Sequence, residues 1–129
     1  MGDLVLYRID IAKEKLKSAK ILLDAGQYKD SIGRSYYALF SAVRAVLAKD
    51  QVDFSKHAGV IAYFQKNYIK TERFERKYSK YLTSAFQIRN SCDYDDFYIV
   101  SKANAEEQYR KVDELIRMII DYLCKSEEQ

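Results

Sequence analysis

Ser31-Ile32-Gly33-Arg34-Ser35-Tyr36-Tyr37-Ala38-Leu39-Phe40-Ser41-Ala42-Val43-Arg44-Ala45-Val46-Leu47-Ala48 is the stretch on which the fold turns. Ile32, Ser35, Tyr36, Leu39, Phe40, Val43 and Leu47 recur at helical spacing, which predicts a helix from near Gln27 to about Ala48 with these residues inward. Ser31, Gly33, Ser35, Ala38, Ser41, Ala42 and Ala45 are small, so neighbouring helices can approach on more than one side. That makes this the central helix. Arg34 and Arg44 on it are ten residues apart in sequence, outside any i,i+3 or i,i+4 relation, so they do not share a patch.

The rest of the composition agrees with a helical chain. The 129 residues contain no Pro, four Gly and 48% hydrophobic residues, enough apolar surface for one domain to build a core without staples. The expectation is all-α: an up-and-down bundle of four long helices plus one short one, a single domain over residues 1–129 with its core at about 3–124. Cys92 and Cys124 have neither CxxC spacing nor a neighbouring His, which suits reduced thiols. Met1-Gly2-Asp3-Leu4-Val5-Leu6 has no basic stretch, no long apolar run and no Ser or Thr where a myristoylation signal needs one. The expected location is therefore cytoplasmic, with no membrane span or anchor.

Upstream, Val5, Ile9, Ala12, Leu16, Ala19 and Leu23 form one stripe of a first helix capped by Asp3 and closed by Gly26 in the C′ position. Downstream, Lys49 to Ser55 is polar and aperiodic and reads as a loop, with Ser55 as N-cap and Phe54 as a staple for a helix through His57, Val60, Ile61, Phe64 and Tyr68. Thr71 followed by Glu72 reads as a fresh N-cap for a basic helix running to about Cys92, and Asp93 to Asp96 as a turn. Ser101 caps a last helix through Ala105, Tyr109, Val112, Ile116, Ile119, Ile120 and Leu123, and the tail Lys125 to Gln129 is expected to fray. Lys13, Lys15, Lys17 and Lys20 read as a solvated face. The formal charge of +3 hides a division: residues 56–89 hold eight Lys/Arg against two Glu, and residues 93–129 hold ten Asp/Glu against five Lys/Arg. A phosphate-rich partner is drawn to the first segment and repelled by the second.

Few residues can carry chemistry. His57 is the single histidine, which excludes a His-rich zinc site and a histidine acid–base pair. Its place in the first turn of a helix disfavours protonation. Asp93, Asp95 and Asp96 lack EF-hand spacing, and a turn role is preferred to a metal site. Ser91 and Cys92 have no nearby base, and four scattered glycines make no phosphate loop. No metal and no cofactor are expected. Twelve tyrosines are too many for one core. Interleaved with Lys66, Lys70, Arg73, Arg76, Lys77 and Lys80, the exposed ones suit nucleic acid. Arg89 and Asn90, near the end of a helix and before the acidic turn, are the best candidates for contact with a phosphate.

The order Ser35-Tyr36-Tyr37-Ala38-Leu39-Phe40, then Lys56-His57-Ala58-Gly59-Val60-Ile61, then Arg89-Asn90 through Asp93-Tyr94-Asp95 resembles the successive landmarks of the HEPN domain family, in its small stand-alone branch. The resemblance runs from about Ile9 to Leu123. It implies a helical bundle that forms a homodimer and acts beside a minimal nucleotidyltransferase. Ribonuclease members carry an arginine, a polar residue and, after a short interval, a histidine, and two such motifs meet across a dimer to cut RNA without metal. Arg89 and Asn90 match the first part, but positions 94 to 96 hold Tyr94, Asp95 and Asp96. Tyrosine, with a reference pKa near ~10, is a poor base at neutral pH, and a carboxylate repels phosphate.

The expected function is therefore a non-catalytic HEPN-like module that binds nucleotide or RNA phosphate near Arg89 and pairs with a nucleotidyltransferase-type partner, as in a toxin–antitoxin pair. Ligand binding is placed at Arg89, Asn90, Arg34, His57 and Tyr94. No residue is assigned a catalytic role; in the alternative of a metal-independent endoribonuclease, Arg89, Asn90, Tyr94, Asp95 and His57 are the residues that could supply one. A third alternative is an interaction bundle in which Arg89 pairs with Asp93 or Asp95 to close the turn.

Overall fold

The computed structural model describes residues 1–127, and within them every regular element is helical. Helix α1 spans Asp3–Asp24, α2 Tyr28–Lys49, α3 His57–Phe64, α4 Lys77–Tyr94 and α5 Lys102–Glu127; α3 runs on into a wide π-helical turn, Gln65–Ile69. Four long helices and one short one make the expected all-α bundle. Helix α2 touches α1, α3, α4 and α5. Its alanines explain why: Ala38, Ala42 and Ala45 are fully buried, as are Ala12 and Ala19 of α1, so the two backbones approach closely. The Ser31 hydroxyl donates to the Ala19 carbonyl oxygen of α1 at 2.8 Å.

The ends of the helices were predicted with mixed success. Gly26, at φ +79°, closes α1, with its N–H bonded to the Leu23 carbonyl and that of Gln27 to Leu22, a Schellman end. Ser101 caps α5 by accepting from the Asn104 N–H at 3.1 Å. Asp3 is the first helical residue rather than the cap, and Lys56 rather than Ser55 precedes α3, neither start having a side-chain cap. Phe54 does pack over α3, with its ring 5.5 Å from Tyr63. Residues Lys125 to Glu127 continue α5 instead of fraying; the remaining two residues of that predicted tail, 128 and 129, lie outside the described residues.

The larger correction concerns Thr71 and Glu72. They end the π-helical turn rather than start α4: the Thr71 hydroxyl donates back to the Asn67 carbonyl, the Glu72 N–H to Ile69, and Glu72 takes φ +63°. The cause lies in the core. Phe74 drops between Phe64 and Tyr122, at ring distances of 5.3 and 5.1 Å, and burying an aromatic ring is worth about 1.5–3 kcal/mol, more than an N-cap of about 1 kcal/mol. Helix α4 therefore begins only at Lys77. At its other end it continues two residues further than predicted, taking in Asp93 and Tyr94. The chain then turns through Asp95 to Phe97, where φ is +61°. Val100 is buried in a second cluster with Leu23, Ile32 and Ala105.

No helix among the described residues is long and apolar enough to cross a membrane. Replacing Phe74 with Ala is expected to lower the unfolding free energy by about 3–5 kcal/mol, measured by urea denaturation. A loss below about 1 kcal/mol would show that the burial of Phe74 does not set the start of α4.

Candidate functional site

Adjacent positions on α2 send two tyrosines toward α4 and α3. The Tyr37 hydroxyl accepts from Arg89 Nη2 at 2.6 Å, and the Tyr36 hydroxyl lies 3.0 Å from His57 Nδ1. The Arg89 guanidinium carbon sits 5.3 Å from the centres of both rings. Its remaining groups face its own helix: Nη1 donates to Asn90 Oδ1 at 3.2 Å, and Nε lies 2.9 Å from Asp93 Oδ2. That last contact is an ion pair without hydrogen-bond alignment, since Nε has no hydrogen-bond partner. Burial opposes the Arg89 charge, but the Tyr37 hydrogen bond and the fields of Tyr37, Asp93 and Tyr36 outweigh it and hold the arginine protonated.

His57 is half-buried on Phe40, ring to ring at 4.0 Å. Its pKa falls below the ordinary 6.5 because burial penalises the imidazolium and because Arg89 and Arg44 repel it. Burial likewise pushes the Tyr36 hydroxyl up to about 12. The neighbouring surface is held by two arginines on one carboxylate: Arg44 Nη2 reaches Asp53 Oδ2 at 3.0 Å and Arg8 Nη2 at 3.2 Å. Two open clefts flank this array. One, of about 600 Å³, is lined by Lys15, Lys29, Asp30, Arg34, Tyr37 and Asp93 among others. The second, of about 390 Å³, is lined by Phe40, Arg44, Asp53, Phe54, Ser55 and His57.

The structure thus groups Arg89, Asn90 and His57 around the Tyr36–Tyr37 pair and sets the exposed Arg34 on the wall of the cleft that Tyr37 and Asp93 share. Arg44 lines the other cleft, as the ten-residue separation from Arg34 implied. Tyr94 is 74% exposed at the end of α4 and is not among the hydrogen-bond or ring partners of Arg89. Asp95 serves as C-cap, its N–H bonded to the Ser91 carbonyl at 3.1 Å. Of the two acids that could pair with Arg89, Asp93 does so. Among the described residues no group of three His, Cys, Asp or Glu side chains could hold a metal ion, and both cysteines are free.

Sequence reasoning missed Tyr37 as the arginine's partner, and it missed Lys15 and Lys29. The Arg89–Asp93 pair has an i,i+4 signature; the Tyr37 contact spans 52 positions and has no local signal.

The sequence matches the HEPN domain over residues 5–125. A "UPF0332 protein" of Thermotoga maritima is 33% identical over 79% of this chain and 77% of its own. A "UPF0332 protein" of Pyrococcus horikoshii is 44% identical over 58% of this chain and 53% of its own. A protein of Methanocaldococcus jannaschii named "Putative toxin" is 30% identical over 92% of this chain and 84% of its own.

Because His57 is the single histidine, its ring protons titrate alone in an NMR spectrum, and the midpoint is expected below 6.5. With a folded pKa under the unfolded value, the unfolded state binds more protons, so His57 contributes stability above about pH 6.5 that is lost as pH falls through the folded pKa. A midpoint at or above 6.5 would contradict the burial and repulsion described for the imidazole.

Proposed function

Since the chain belongs to the HEPN domain family, we propose that it is a phosphate-binding helical module, one half of a toxin–antitoxin-like pair whose other half is a nucleotidyltransferase-type protein. It holds nucleotide or RNA phosphate beside Arg89, works as a homodimer and does not itself cut. The name carried by the Methanocaldococcus relative supports the pairing. The observation that carries the binding site is the cleft in which Lys15, Lys29 and Arg34 surround Tyr37 and Asp93, the two residues that hold Arg89.

A phosphate entering this cleft meets three cations against one further acid, Asp30, and competes with Asp93 for the arginine. Guanidinium recognises phosphate with two parallel N–H donors, and the poorly aligned Arg89 Nε gains a directed partner when an anion replaces Asp93. The positions where the family's ribonucleases place histidine hold Tyr94, Asp95 and Asp96, none of which bonds Arg89, so none of these three supplies a base to the bound phosphate. Titration calorimetry with AMP at low salt is expected to give binding that weakens about tenfold or more in Arg89→Ala. Tyr37→Phe, which keeps the charge but removes its anchoring hydroxyl, weakens it less. Equal affinity of Arg89→Ala and the unaltered protein would reject the site.

One observation favours a second reading. His57 and Arg89 meet the same tyrosine pair, and the imidazole is held neutral, the state a general base needs. An endoribonuclease using His57 predicts cleavage of labelled RNA in EDTA that disappears in both His57→Gln and Arg89→Ala. Intact RNA after prolonged incubation, or cleavage indifferent to His57, sinks this reading.

A further inference from the structure

The charged residues of α5 and those around the start of α4 are organised in opposite ways. All five cations from Lys102 to Lys125 on α5 have an acidic partner one turn away: Glu106, Glu114, Glu107, Asp113 and Asp121. Residues 66–80 carry six Lys/Arg against Glu72 and Glu75, and among the described residues Lys66, Lys70, Arg76 and Lys80 form no ion pair at all. A surface helix ordinarily mixes signs. Helix α4, by contrast, has no carboxylate from Lys77 to Cys92.

The uncompensated cations border a groove. A cleft of about 420 Å³ between the π-helical turn and α4 is lined by Gln65, Ile69, Lys70, Arg76, Ser79 and Lys80. From it Arg76, Lys80, Thr83 and Gln87 follow one another at steps of three and four along the exposed face of α4, and the next step is Asn90, which bonds Arg89. The stripe is about 20 Å long. It offers cations, a hydroxyl and amides, and none of the exposed large apolar residues of the molecule lies on the π-helical turn or on α4 before Tyr94. A protein interface needs an apolar or aromatic centre, whereas a nucleic-acid interface is polar and strongly positive.

We propose that this groove and the stripe leading from it bind the phosphodiester backbone of a single nucleic-acid strand, delivering one of its phosphates to the Arg89 cleft. The inference rests on the Arg89 reading only for where the strand ends. It makes the ligand of that cleft a polymer rather than a free nucleotide.

The probe is a fluorescent oligouridylate, measured by anisotropy over a series of salt concentrations, with AMP as the second ligand. The combined variant Lys70→Ala, Arg76→Ala, Lys80→Ala alters only exposed side chains. It is expected to bind oligouridylate about tenfold or more weakly, with a salt slope shallower by about two, and to keep its affinity for AMP. Arg89→Ala is expected to lose AMP and to bind oligouridylate more weakly, while keeping the salt slope contributed by the groove. Unchanged affinity and slope in the triple variant overturn the proposal, as does the absence of oligouridylate binding to the unaltered protein at low salt. Displacement of the oligonucleotide by polyglutamate as readily as by unlabelled RNA also overturns it, making the partner an acidic protein. Loss of AMP alone in Arg89→Ala, with oligouridylate binding intact, refutes the delivery step. Failure of AMP binding in every form, beside intact groove binding, refutes the Arg89 reading alone.

Discussion

A guanidinium with 14% of its side chain exposed has to be surrounded by groups that accept its protons, because an unpaired charge out of water costs several kcal/mol (roughly 3–5 when one partner is removed). Arg89 meets this demand with parts from two helices. Its own helix supplies Asn90 and Asp93, and α2 supplies the Tyr37 hydroxyl and the faces of two rings. The site is therefore a consequence of how closely α4 lies against α2. Any slackening of that contact takes the Tyr37 hydroxyl away and leaves the arginine held by Asp93 and Asn90 alone.

The close contact depends on α2 being narrow. Fully buried alanines at 38, 42 and 45 let α2 sit in the middle of the bundle, touching each of the other helices. Adjacent positions on that helix, 36 and 37, then hand one tyrosine to His57 and the other to Arg89. The pair couples the two functional candidates without bringing them into direct contact: Arg89 contributes to keeping the imidazole neutral, while burial keeps the Tyr36 hydroxyl protonated. Electrostatics and packing thus act in the same place, and a change at Tyr36 affects both sides.

Charge is distributed along the chain as unevenly as the small residues are. Helix α5 pairs all five of its cations through i,i+4 contacts, each worth only a few tenths of a kcal/mol (about 0.2–0.5), and is left with six Asp/Glu against five Lys/Arg, so it offers an anion no open positive field. The segment before and along α4 does the reverse and keeps its positive potential open to solvent. A cation that has no acid beside it gains no ion-pair energy on folding, and its field stays available to an anion arriving from outside.

The sequence by itself determined the helical class, the number of long helices, the centrality of α2, the Gly26 and Ser101 ends and the division of charge. All of these rest on relations within a few residues: helical periodicity, small side chains on several faces, one positive-φ position and one N-cap hydroxyl. It also brought Arg89, Asn90 and His57 forward as the groups with chemistry. Only the tertiary structure decided that Thr71 and Glu72 close a turn instead of opening α4, because the winning term is the burial of Phe74 against Phe64 and Tyr122, residues distant in sequence. Likewise it decided that Asp93 and not Asp95 pairs with Arg89, that Tyr94 stands away from the site, and that Arg34 and His57 face different clefts. Those outcomes depend on which side chains from separate helices meet, and a contact spanning 52 positions leaves no trace in local spacing.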